Sequence, residues 1–250
     1  MKCSLIIPTY NEALVILPTV RSLIEVFEKQ KDFDWEIVVV DNASTDDTKE
    51  QMEDFGHAQV SVMSIKEKGK GRAIRAGFTK AEGEVIGFTD ADLAVPPKEI
   101  LDAFLFALRD DADVIIGSRV HKESTLPGRE WWRTRSSSVF NLLAKMIIGV
   151  RAGDTQCPLK VMNASGLRVM LGTQEETWFF DLEFLALCEA LGLRIKEVPV
   201  TWDEHRYPDR KSKLSTVRDG IRSIGAMVRI RRRLPAQLTI LASISKVEQL

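Results

Sequence analysis

Val85-Ile86-Gly87-Phe88-Thr89-Asp90-Ala91-Asp92 is the stretch on which the fold turns. Its first five residues are apolar or β-branched apart from one glycine, with no alternation of polar and apolar positions. A strand of that kind is buried on both faces, as in a parallel sheet covered by helices on either side. It then breaks abruptly into two carboxylates with one small residue between them. The same grammar recurs on either side of it. Residues 3–8, 36–40, 60–65 and 114–117 are short, β-branched-rich runs. Between them, 18–28, 46–55, 70–80 and 97–108 have helical character. Ser44-Thr45-Asp46-Asp47 offers N-cap oxygens, and Pro96-Pro97 presets a helix start. Strands alternating with helices make βαβ units. The expectation is an α/β fold with a doubly wound, mostly parallel sheet and helices on both faces.

The chain is 250 residues long, enough for one such domain with a full core. Apolar residues make up 44% and charged residues 28%, which excludes a disordered chain. No uninterrupted apolar run is long enough to span a membrane, and the first residues lack the apolar stretch of a signal peptide. Cys3, Cys157 and Cys188 are three and far apart, unlike a disulfide framework or a four-ligand zinc site. A reducing, cytoplasmic setting is expected. A net charge of −1 excludes a strongly basic nucleic-acid binder.

In open α/β sheets ligands bind beyond the carboxyl ends of the strands. Four such ends are polar here: Pro8-Thr9-Tyr10-Asn11-Glu12, Asp41-Asn42, Asp90-Ala91-Asp92 and Gly117-Ser118-Arg119. Solubility alone does not explain four of them on one rim. Asp90 and Asp92 suit a hard cation such as Mg²⁺ or Mn²⁺, which prefers oxygen ligands and shares its site with substrate phosphates. Read alone, the tripeptide fits a helix-capping turn equally well. Gly69-Lys70-Gly71-Arg72 opens a helix and can hold a phosphate there, but a turn with solvated charges fits it too. It is neither a P-loop nor the dinucleotide fingerprint, and without that fingerprint after the first strand an NAD-dependent oxidoreductase is not expected. No Gly-x-Ser-x-Gly elbow is present. His57, His121 and His205 lack metal-ligand spacing.

Beyond residue 120 the rhythm changes. Helices are expected over 131–148, 177–191 and 214–231, and 194–202 reads as an edge strand because Pro199 lies within it. Arg119, Lys122, Arg129, Arg133 and Arg135 form a basic stretch that also holds Trp131-Trp132. Residues 206–233 carry ten Lys or Arg against Asp209 and Asp219, and call for an anionic partner or for water. On a helical wheel Leu214, Val217, Ile221, Ile224 and Val228 form an apolar stripe beside Arg218, Arg222, Arg229 and Arg233. Such a helix can lie in a membrane interface or dock on the core.

Taken in order, Pro8–Glu12, Asp41–Asp46, Gly69–Gly71, Asp90–Leu93 and Gly117–Arg119 resemble inverting glycosyltransferases of the GT-A fold. Within them the chain is similar to polyprenyl-phosphate sugar transferases, namely dolichyl-phosphate β-glucosyltransferases and dolichyl-phosphate mannose synthases. Asp154-Thr155-Gln156-Cys157, Lys160, Trp178, Phe180-Asp181-Leu182-Glu183, Val200-Thr201-Trp202 and Ser212-Lys213-Leu214 resemble the glucosyltransferase branch. The resemblance covers residues 3–230. It differs in having Asp41-Asn42 where two acidic residues are frequent, a longer stretch before Ser212, and no membrane span.

The resemblance implies roles. Pro8, Tyr10, Glu12, Asp41, Lys70, Asp90 and Ala91 would bind the donor nucleotide, UDP-glucose ahead of GDP-mannose. Asp90 and Asp92 would hold Mg²⁺ or Mn²⁺. Asp92, Arg119 and Lys213 would be catalytic. Arg133, Arg135, Lys160 and Arg206 would meet the phosphate of a polyprenyl acceptor. The basic C-terminal segment would touch the membrane, making the protein peripheral on the cytoplasmic face. Residues 1–120 would form the nucleotide-sugar half, 121–235 the acceptor half and 236–250 a tail. An acceptor hydroxyl would instead need a base, for which Asp154, Asp181 and Glu183 are the acidic candidates. A catalytically silent nucleotide-sugar-binding protein at a membrane surface is the remaining alternative.

Overall fold

Strand β1 (Lys2–Thr9) is the third strand of a seven-stranded sheet in a computed structural model that describes residues 1–109, 112–128, 131–203, 206–207 and 216–247. It pairs in parallel with β2 (Asp34–Asp41) on one side and β4 (Val85–Phe88) on the other. Strand β3 (Val60–Ser64) extends the sheet beyond β2. Past β4 come β6 (Lys160–Met162), β5 (Val114–Ser118) and β7 (Ile195–Pro199), giving the order β3-β2-β1-β4-β6-β5-β7. Strand β6 is antiparallel to both β4 and β5. Strands β4 and β5 therefore run the same way as β1 and β2, and all four polar strand ends open on one rim.

Alternation along β1 builds two cores. Cys3, Leu5 and Ile7 point to one face, packed with Ile37 and Val39 of β2. Helix α1 (Ile16–Phe27) covers that face with Ile16, Val20, Leu23 and Phe27 at helical spacing, beside α4 (Pro97–Arg109). The short α2 (Thr48–Glu53) joins β2 to β3. Ile6 points to the other face with Val38 and Val40. There lie α3 (Lys70–Lys80), α5 (Trp131–Ile147), α6 (Ala164–Leu171), α7 (Phe180–Ala190) and α8 (Thr216–Val247). The expected doubly wound, mostly parallel sheet is what forms, and β7 is an edge strand.

Three expectations change. Strand β6 and helix α6 interrupt the parallel order unannounced. Strand β6 has only three residues, and a buried lysine heads it, so no apolar run marks it. Helix α8 runs through Pro235 to Val247 with Gln237 and Leu241 buried. Residues 236–247 thus continue the fold rather than forming a tail. The described part of the expected apolar stripe, Ile224 and Val228, is also not on the packed face of α8, and the side chains of Leu214, Val217 and Ile221 lie outside the described residues. Ser223, Ala226, Met227 and Ile230 are buried, whereas Ile224 and Val228 are 47% and 38% exposed. Polar anchors outside the helix select the face: Arg229 pairs with Glu175 at 3.2 Å, and the Gln237 amide donates to Glu183 at 3.0 Å.

Candidate active site

The rim at the ends of β1, β2 and β4 is strained. Asn11, Ala43 and Leu93 follow these three strands and have φ of 51°, 60° and 46°. Non-glycine residues pay on the order of 1 kcal/mol in that region, and such residues cluster where a ligand is held. The local sequence supplies the compensation. The Asn11 N–H donates to Ser44 Oγ at 3.0 Å, and the Asn11 side-chain oxygen accepts from the Thr45 N–H at 2.8 Å. The Glu12 N–H donates to Thr48 Oγ1 at 2.8 Å. Asp41 accepts from the Ser44 N–H at 3.1 Å. These bonds lock the first two strand ends together, with Thr9 in register with Asp41. Glu12 and Asp41 are both buried at this junction, and Lys68 lies over the Tyr10 ring at 4.1 Å.

Asn42 departs from the paired acidic pattern but has a structural task. Its side-chain oxygen accepts from the Gly69 N–H at 2.8 Å, which fixes the start of α3 beside β2. Gly71 then meets the loop before α7. Its N–H donates to the Glu176 carbonyl at 3.0 Å. A Cβ at Gly71 would stand 2.4 Å from the Glu175 carbonyl and 2.7 Å from Phe180 Cβ. The glycines thus serve close backbone packing, as the turn reading of that motif requires.

Lys70, between them, turns to the end of β4. Its ammonium is 2.6 Å from Asp90 Oδ1 and 4.9 Å from the centre of the Trp178 ring. Burial works against its charge, but Asp90, Asp181 and Asp92 outweigh it and hold the lysine above its ordinary value. Asp92 accepts weakly from the Ala94 N–H at 3.4 Å. Among the described residues no group of three or more His, Cys, Asp or Glu could hold a metal ion. Asp90 and Asp92 nonetheless fit a divalent cation whose other ligands are substrate phosphate oxygens and water, the usual mode for Mg²⁺.

A line of alternating charge continues inward from Lys70. Asp181, on α7, lies near it and is 2.8 Å from Lys160 Nζ. Burial pushes Asp181 upward against the pull of Lys160 and Lys70. Lys160 in turn influences Asp154. Asp154 grips Arg119: Nε and Nη2 donate at 2.7 and 2.8 Å, and the Arg119 backbone N–H at 2.9 Å. The guanidinium stacks over Trp202 at 4.7 Å.

Burial acts to raise Asp154, but the Arg119 guanidinium overrides it and holds the carboxyl at about 2. An unfolded aspartate titrates near 3.8. The contribution of this carboxylate to stability is therefore complete above about pH 4 and is lost as pH falls toward 2, roughly 2 kcal/mol in all. Urea denaturation across that window should show the stability gap between wild type and Asp154→Asn narrowing by that amount. A gap independent of pH would mean that Arg119 does not hold the acid ionised.

Two expected site residues are corrected. Lys160 does not face an acceptor. It is 0% exposed and is satisfied by Asp181 and by the Cys157 and Thr155 carbonyls at 2.6 and 3.3 Å. Arg119 is not simply offered to a phosphate, because Asp154 engages its fork. By contrast, Arg206 reaches the site: its Nη1 donates to the Leu93 carbonyl at 3.2 Å. Beside it Tyr207 Oη is 3.3 Å from Thr19 Oγ1, which donates to the Ala91 carbonyl at 2.6 Å. Pro8 and the buried Ala91 lie at the ends of β1 and β4. Arg135 is exposed on α5. Lys213 lies outside the described residues, as do the side chains of Arg133, Trp131 and Trp132. The parts that sequence reasoning did not place in the site are Asn11, Asn42, Trp178, Trp202 and Tyr207. Asn11 and Asn42 carried a signal as members of polar strand ends, and the two tryptophans as large aromatics inside family-like segments.

Residues 4–171, two thirds of the chain, match the family described as Glycosyl transferase family 2. The chain belongs to that family. Within glycosyl transferase family 2 it is 33% identical over 224 residues to a dolichyl-phosphate beta-glucosyltransferase of Saccharomyces cerevisiae, covering 80% of this chain and 66% of that one. It is 31% identical over 228 residues to dolichyl-phosphate beta-glucosyltransferase ALG5C of Trichomonas vaginalis, covering 84% and 66%. The chain thus spans just under two thirds of the length of these curated relatives. Its fold matches that of glucosyl-3-phosphoglycerate synthase from Mycobacterium tuberculosis, solved with Mn²⁺, uridine diphosphate and glucosyl-3-phosphoglycerate. The TM-score is 0.63 at 18% identity, over 96% of this chain and 79% of that one. The GT-A expectation holds.

Proposed function

We propose that this chain moves a hexose, glucose in first place, from a nucleoside diphosphate sugar to a polyprenyl phosphate, with inversion. Both relatives named above carry the dolichyl-phosphate glucosyl name. Glu12 and Asp41 are buried at the joined ends of β1 and β2, and a carboxylate of this pair would accept from the imino N–H of the donor base. Asp90 and Asp92 would hold Mg²⁺ or Mn²⁺. A divalent cation there supplies charge stabilisation to the departing diphosphate. An oxygen of the acceptor phosphate attacks the anomeric carbon. The bond from that carbon to the donor's β-phosphate oxygen breaks, and the electron pair leaves with the nucleoside diphosphate.

The observation that carries this reading is the state of the three candidate bases. Asp154 is ion-paired with Arg119 and Asp181 with Lys160. Glu183 is spent on the Gln174 and Glu175 N–H groups at 2.7 and 2.6 Å and on Gln237. All three are buried. A hydroxyl nucleophile would call on one of these candidates to take its proton. A phosphate, already an anion at neutral pH, requires none. Arg206 beside Leu93 and the basic segment beyond it then serve to position that anion.

The same proposal places the protein on the cytoplasmic face of a membrane. Val139, Leu142 and Met146 of α5, with Ile224 and Val228 of α8, are exposed. Arg222, Arg231 and Arg232 are exposed on α8 as well. Apolar side chains edged by arginines suit an anionic lipid surface. No helix among the described residues is long and apolar enough to cross a membrane.

Radiolabelled UDP-glucose and GDP-mannose, each offered with Mg²⁺ or Mn²⁺ and a short-chain polyprenyl phosphate, test the reading. Label from UDP-glucose should pass into organic solvent and cease to do so with EDTA. Label transferred to a soluble hydroxyl acceptor instead would replace the lipid-phosphate reading.

A further inference from the structure

We propose that Lys70 is a built-in counter-ion that occupies Asp90 until the donor arrives, so that the divalent cation binds together with the nucleoside diphosphate and not before it. The proposal deepens the donor reading above and rests on it.

The geometry is specific. The Lys70 ammonium lies 2.6 Å from Asp90 Oδ1, an aspartate read above as a cation ligand. Its side chain is 9% exposed and lies against the Trp178 ring, and that of Asp90 is 25% exposed, so water screens the pair only in part. Two positive charges cannot share one carboxylate oxygen at close range without a large penalty in a poorly screened site. A cation entering alone would have to displace Lys70 and strand its charge. It would also find too few protein ligands, since no group of three acidic, histidine or cysteine side chains could take it among the described residues.

A nucleoside diphosphate removes both obstacles. Its oxygens complete the coordination of the cation. They also offer the lysine a new anionic partner at the same end of β4. Lys70 is not left unsupported when it leaves Asp90, because the buried Asp181 also favours its charge. The chain Asp90–Lys70–Asp181–Lys160 therefore has two settings. In one, Lys70 neutralises Asp90. In the other, the cation does, and Lys70 turns to the diphosphate. Trp178 and the close contacts of Gly69 and Gly71 with residues 175–176 fix where that lysine starts. Coupling of this kind is reciprocal: the factor by which UDP tightens the cation equals that by which the cation tightens UDP.

Titration calorimetry of Mn²⁺, with and without UDP, tests this on the full chain without any turnover. Wild type should bind Mn²⁺ weakly alone and at least about tenfold more tightly with UDP. Lys70→Met should bind Mn²⁺ alone about tenfold more tightly than wild type and lose most of the UDP effect. Lys70→Arg, which keeps the charge, should behave as wild type. If the methionine variant does not fold, Lys70→Gln makes the same comparison. Mn²⁺ affinity unchanged on removing the charge would overturn the proposal, as would wild type binding Mn²⁺ equally with and without UDP. Failure of wild type to bind UDP at any Mn²⁺ concentration would also overturn it, by removing the donor reading beneath it. That result is distinguishable because it appears in wild type and on the nucleotide.

Discussion

Asp92→Asn is expected to lower turnover of UDP-glucose by on the order of 10³-fold, the scale seen when a principal stabiliser of developing charge is removed. The fold should survive. Asp92 is half-buried, and asparagine keeps an oxygen able to accept from the Ala94 N–H. The loss follows from what the amide cannot do: it carries no negative charge to hold a divalent cation against a diphosphate. Initial rates with saturating metal, beside a thermal melt of each protein, make the comparison. Undiminished turnover in a folded variant would remove Asp92 from the cation site. Lost turnover with a lowered melting temperature would make it a structural residue of the β4 turn.

Lys160→Met should cost about 3–5 kcal/mol of stability, because it strands the buried Asp181 carboxylate. Burying charge is tolerable here only because the ammonium meets one carboxylate and two carbonyls. The double variant Lys160→Met with Asp181→Asn should recover much of that loss, since no uncompensated charge then remains. Urea denaturation at neutral pH measures both. A loss below about 1 kcal/mol with a raised KM for the acceptor would return Lys160 to the acceptor-phosphate role that its burial contradicts.

The acidic and basic halves of the site were legible to different degrees for one physical reason. Asp90 and Asp92 stand directly after a buried strand, and strand ends announce themselves by an abrupt change from apolar to polar. Tyr10, Glu12 and Asp41 stand at strand ends in the same way. Arg119 also stands at a polar strand end, but its partner Asp154 lies 35 positions away, and no spacing rule joins them. Lys160 was misjudged because a lysine in sequence reads as solvated. Its burial depends on Asp181, which the fold brings from another element. On helix α8 periodicity left two readings of its apolar stripe open, and the packed face follows Arg229 and Gln237 to Glu175 and Glu183.

The sequence by itself determined the layered α/β architecture, the parallel order of the first strands and the rim on which ligands bind. These follow from local periodicity, turn chemistry and the direction of right-handed crossovers, all of which are written within about 30 residues. Only the tertiary structure decided which charges face the rim and which are consumed inside. That choice is made pairwise in a poorly screened interior, between residues far apart in the chain. There a single carboxylate decides whether a lysine or an arginine is offered to a substrate or held in the core.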